Sequence, residues 1–122
     1  MLNKIDTTLG AGLIMIAMTL GCVSAEDEAN MTKKMALETE RSKIIDDNIA
    51  DCAKLKEELT KFQETKGKEI VALDDWWVPL GDMAKDKLIS KHQDEWDNQT
   101  ASMAMGALSC NQEFSEALKA GK

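Results

Sequence analysis

The stretch Ile45-Asp46-Asp47-Asn48-Ile49-Ala50-Asp51-Cys52-Ala53-Lys54-Leu55-Lys56-Glu57-Glu58-Leu59-Thr60-Lys61-Phe62 sets the fold class. Ile45, Ile49, Cys52, Leu55, Leu59 and Phe62 recur at steps of three and four, which draws one apolar stripe along a 3.6-residue helix, with Asp, Glu and Lys on the other side. Upstream, Met31 and Met35 continue the stripe. The spacing therefore predicts one long helix starting near Asp27, where Glu26, Asp27 and Glu28 oppose the positive end of its dipole. Gly67, between Lys66 and Lys68, is its expected stop. Glu38 and Ser42 fall on the inner face between Met35 and Ile45, so this is where a kink is expected. Glu57 and Lys61 form an exposed pair one turn apart.

Past Gly67 the pattern changes. Ile70-Val71-Ala72-Leu73 leads into Asp74-Asp75-Trp76-Trp77-Val78-Pro79-Leu80-Gly81, read as a short helix and a turn. Pro79 disfavours helical geometry at Val78, and Asp82 can cap the helix that follows. That helix places Ala84, Leu88, His92 and Trp96 on one side. Asp97-Asn98-Gln99-Thr100 interrupts the apolar pattern, after which Met103, Ala107, Cys110, Phe114 and Leu118 resume it. One Pro, seven Gly and few strand signals in 122 residues complete an all-α reading: a small antiparallel helical bundle of one long helix, two shorter helices and a short connector helix.

Residues 1–22 resemble a bacterial lipoprotein export signal. Lys4 precedes an uncharged run from Leu9 to Leu20 that is too short to cross a bilayer, and Thr19-Leu20-Gly21-Cys22 resembles a lipobox, with the family's usual Leu one position earlier than Leu20. The resemblance implies that residues 1–21 are a signal peptide and that Cys22 becomes the first mature residue and carries acyl chains. Residues 22–122 then form a single helical domain attached to a membrane. Val23, rather than Asp, behind the Cys resembles the pattern of lipoproteins sent to the outer membrane. Ordinary cleavage after Val23-Ser24-Ala25 also fits the residues; it would remove 1–25 and release a soluble periplasmic protein.

Either route leaves Cys52 and Cys110 as the two thiols of an oxidising compartment, and they are expected to pair. Closing a loop of 58 residues is worth about 4 kcal/mol in the chain-entropy model. A hairpin of two unbroken helices would misplace the two sulfurs by about 20 Å, so the bridge demands a further reversal, placed near Asn98. Pairing between chains would instead give a dimer; monomer and dimer both remain open.

The formal charge of -7 works against contact with nucleic acid. His92 and Glu95 lie one turn apart, but the second such pair that a di-iron bundle needs is missing, so no metal site is assigned. Met31, Met35, Met83, Met103 and Met105 supply soft thioethers that could, with His92, serve a metal-ion or small-ligand carrier. The carboxylates at Asp46-Asp47, Asp51, Asp74-Asp75, Asp94-Glu95 and Asp97 read as a solvated face. No phosphate loop or nucleophile elbow occurs, so no catalytic residue or cofactor is assigned. The least generic feature is the Trp76-Trp77 pair. Neighbouring side chains diverge, so one of the two is a candidate contact, as an anchor for a partner such as another envelope protein, a stacking face for a sugar, or a side chain resting at the membrane interface near the lipid. The alternative is that both cap the end of the bundle with their indole N–H groups bonded locally.

Overall fold

The computed structural model describes residues 23–121, and within them the chain is all-α with a Cys52–Cys110 bridge. The segment expected to be a signal peptide and Cys22 lie outside the described residues. Five helices follow in order: α1 (Ala25–Asn48), α2 (Cys52–Trp77), α3 (Asp82–Lys91), α4 (Gln93–Ser109) and α5 (Asn111–Leu118).

The expected single long helix is two helices. α1 starts on a capping box in which Ser24 Oγ accepts from Asp27 N–H, while the Asp27 carboxylate accepts from Ser24 N–H. It passes without a break through Glu38 and Ser42, the expected kink. Glu38 is neutralised there by Lys34 and Arg41, so its place on the inner face leaves no bare charge. The break comes later, at 49–51, where Asp51 takes extended geometry and its carboxylate accepts from Lys54 N–H to start α2. Gly67 does not stop α2. It is buried within it, and a side chain there would run into the backbone of Gly121. The expected connector helix is thus the last part of α2. At the next corner Gly81, not Asp82, is the N-cap, and Asp82 sits in the first turn, where its charge suits the dipole.

Contacts along the helices fix their directions. Trp76 bonds to Asp27, so the end of α2 lies beside the start of α1 and the two run antiparallel. Lys91 at the end of α3 meets Glu28 near the start of α1, and Ser102 on α4 meets Asp46 near its end, so α4 follows α1 in its own direction. Gln63 bonds to the Leu118 carbonyl, and α5 therefore returns alongside α2. The bundle is two hairpins, α1–α2 and α4–α5, laid side by side, with α3 leading from the first to the second.

Asn98 is not the reversal. It lies within α4, whose inward face at that level is built from small and polar residues: buried Ser102 donates to Asp46, and Gly106 admits the Phe114 ring. The chain turns instead at Cys110, which is non-helical (φ -136°, ψ 51°), and bends at His92 (φ -127°, ψ 34°). This arrangement removes the register problem. Cys52 follows the bend of one hairpin, Cys110 is the bend of the other, and their alpha carbons stand 5.4 Å apart within one chain.

Two apolar clusters fill the bundle. The one nearest the bridge joins Ile45, Leu55, Leu59, Phe62, Ile70, Cys110, Phe114 and Ala117. The other joins Met31, Met35 and Leu88, with Val23, Trp76, Trp77, Leu80, Ile89 and Trp96 packed around them.

Candidate functional site

The second cluster gathers all three tryptophans of the chain at the end opposite the bridge. Trp76 and Trp77 close α2. Because successive helical positions diverge by about 100°, they leave the helix in different directions. Trp76 turns toward the first turn of α1 and donates its indole N–H to Asp27 Oδ1 at 2.9 Å. Its exposed part lines a groove between α1 and α2 with Asn30, Lys33 and Leu73. Trp77 turns toward the α3–α4 side, where its ring lies 5.5 Å from that of Trp96 and 5.7 Å from that of Trp76. The ammonium groups of Lys34 and Lys85 each stand 5.6 Å from it. Both indoles are half-buried: each packs on the cluster and keeps an outer surface.

Val23, one residue after Cys22, is packed against this same cluster, so the aromatic end is also the end at which the lipid attachment expected at Cys22 would leave the bundle. Beside it the α2–α3 corner is apolar and uncovered. Val78 is 70% exposed and Met83 61%, with Pro79 exposed and Leu80 half-buried between them. Asp75, Asp82, Lys85, Asp86 and Lys87 surround the corner, with acids in excess.

A second feature lies between the two clusters. The α5 helix is short, and near its end a cavity of about 210 Å³ opens, walled by Leu37, Phe62, Leu73 and Met103. Its polar side carries Lys34, Glu38 and Arg41, all largely buried. Lys34 Nζ meets Glu38 at 3.2 Å, Arg41 meets the other Glu38 oxygen, and Arg41 also donates to Gln63 Oε1. Gln63, fully buried, donates in turn to the Leu118 carbonyl. Sequence reasoning did not single out this network. Its signal was the spacing Lys34, Glu38, Arg41, a run of charges at four and three on the inward face.

The remaining residues weighed from the sequence do not converge. Met31 and Met35 are buried in the core, Met103 packs against the other cluster, and Met83 and Met105 are exposed at different places. His92 sits at the α3–α4 bend with Nδ1 2.9 Å from Glu95 Oε1. Among the described residues no three His, Cys, Asp or Glu side chains stand close enough to share a metal ion, and no helix is long and apolar enough to cross a membrane. No protein family, curated protein or solved structure matches the chain.

A missed surface lies on the far side of α4. Ala101, Ala104, Met105 and Leu108 form an outward apolar stripe at i, i+3, i+4 and i+7, and Leu108 is 81% exposed. Met103, Ala107 and Cys110 carry the inward stripe of the same segment, and in the sequence that stripe masks the outward one.

Proposed function

We propose that this is an exported protein of the bacterial cell envelope, held to the outer membrane by acyl chains on Cys22, whose bundle has a binding or structural role through its tryptophan end. The observation that carries the reading is the position of Val23. Val23, next to Cys22, is packed against the Met31, Met35 and Leu88 cluster around which Trp76, Trp77 and Trp96 also pack, so attachment at Cys22 and the aromatic surface would share one end of the bundle. The close approach of Cys52 and Cys110 adds support, because such bridges persist in oxidising compartments. More than one acyl chain, at about 0.8 kcal/mol per buried methylene, makes attachment stable.

Intact-mass spectrometry of the protein taken from its native membrane tests this directly. The expected mass is that of residues 22–122 plus acyl chains, less the two hydrogens of one bridge. A mass beginning at Glu26 would leave a soluble periplasmic protein in its place. A protein partner held by this end would be recovered from detergent-extracted membranes and lost with Trp77→Ala; recovery unchanged by that substitution would remove Trp77 from any protein contact.

The cavity between the clusters favours a second reading, a soluble periplasmic carrier of a small molecule with an apolar body and a polar group facing Lys34, Glu38 and Arg41. Native mass spectrometry of the purified protein is the check: co-purifying small molecules that are lost in Arg41→Met support it. For a metal cargo, titration with copper(I) or zinc that gave no heat above dilution would dispose of the idea.

A further inference from the structure

We infer that the partner of the tryptophan end is the lipid surface itself, and that the α2–α3 corner, Val78 to Met83, rests in the zwitterionic headgroup layer. This inference relies on the attachment at Cys22 proposed above and names what that end touches.

Reach comes first. Consecutive alpha carbons are about 3.8 Å apart, and Val23 is packed into the end cluster, so the acylated residue is held within one step of the bundle. Acyl chains in the bilayer then bring that end to the headgroups, with no long linker between them. The chemistry of the end fits such a place. Val78 and Met83 are largely exposed, Pro79 and Leu80 lie between them, and no element of the described residues covers this corner. Behind it stand three indoles with half-buried rings, the side chains that concentrate where apolar and wet regions meet.

Charge selects the kind of surface. Around the corner Asp75, Asp82 and Asp86 outnumber Lys85 and Lys87, and beside them Glu26, Asp27 and Glu28 open α1, where Lys91 pairs with Glu28 and Lys34 stands over Trp77, so the end carries no net positive charge. An anionic lipid surface would gain nothing from this end, whereas a zwitterionic one accepts the apolar corner without repulsion. Contact should therefore be insensitive to salt, unlike the association of a basic patch.

The tryptophans are native probes for the test. Acylated protein, its modification verified by mass, is reconstituted into phosphatidylcholine vesicles whose acyl chains are brominated near the headgroup. Trp emission is expected to fall relative to unbrominated vesicles, equally at low and high salt. The double variant Val78→Asp/Met83→Asp alters exposed side chains only; with its helicity verified by circular dichroism, it is expected to recover most of the lost emission. Equal emission in both vesicle types from acylated protein would overturn the inference while leaving the attachment intact. Quenching that persists in the double variant would overturn it too, as would a protein partner found covering the corner in extracted membranes. Unacylated protein would overturn the attachment, and this inference with it.

Discussion

At Gly106 the absence of a side chain is what lets α4 and α5 meet. A Cβ there would lie 2.7 Å from the Phe114 ring, and that ring is buried in the cluster beside the bridge with little room to retreat. Ala favours a helix interior over Gly by about 1 kcal/mol, but overpacking a core costs about 1–3 kcal/mol. Gly106→Ala is therefore expected to lower the denaturant midpoint despite its better propensity. Phe114→Leu made in the Gly106→Ala background should cost less than in the wild type, and a double-mutant cycle reads the difference. At this scale the apolar residues were legible, because their burial follows from periodicity: Met31, Met35, Ile45, Leu55, Leu59, Phe62 and Phe114 are all core. The buried polar and small ones were not. Gln63, Ser102 and Gly67 lie inside because of partners far away in sequence, Leu118, Asp46 and Gly121, while Lys34 is held there by Glu38 one turn along α1. The two tryptophans stand between these cases. The sequence marked them as diverging, while their shared packing with Trp96 and Val23 depends on how α2 meets α1 and α4.

Helices were easier to recognise than their ends. The apolar stripe continues across the break at 49–51 because Ile45 and Ile49 before it and Leu55 and Leu59 after it face the same core from two antiparallel arms. Periodicity cannot see a reversal that preserves the stripe. The local chemistry could: Asp51 ahead of Cys52 is a residue type that caps helices, and here it does. In the same way Asp97-Asn98-Gln99-Thr100 looked like a break because polarity was read as exposure, whereas a helix in contact with solvent along one face carries such a turn without interruption. Pairing of elements also yields a prediction in pH. Lys56 on α2 and Glu116 on α5 meet at 2.8 Å in the open. The hydrogen bond from Lys56 holds the Glu116 carboxyl below its ordinary 4.5, and its bond to Glu116 holds the Lys56 ammonium above its ordinary 10.5. The carboxylate's contribution is thus present above 4.5 and lost as pH falls through its lowered value. That of the ammonium is present below 10.5 and lost as pH rises through its raised value. Glu116→Gln should lower the melting temperature slightly at neutral pH. The gap to the wild type should close in acid, and narrow in about 1 M salt, because both groups are exposed.

Across the whole molecule the two ends are built differently. The end with the tryptophans relies on side-chain packing around Met31, Met35 and Leu88, and the other adds a covalent tie between the bends of the two hairpins. Cys52→Ser/Cys110→Ser is expected to cost about 4 kcal/mol, seen as a lower denaturant midpoint. The loss should be felt first in α5, eight residues long and attached through Cys110, Gln63 and Lys56; hydrogen exchange of its amides is the direct measurement. The bridge joins bends at the far end of α1, whose length places it about 36 Å from Val23.

That tie also partitions how the molecule answers a mechanical load. Residues 52–110 form a closed covalent ring containing α2, α3 and α4, while α1 and α5 hang outside it as open arms. A pull applied through residue 23 can peel α1 and pay out roughly 100 Å of backbone before tension reaches the ring. Beyond that point the ring passes force straight across the sulfurs and leaves the helices inside it unstretched.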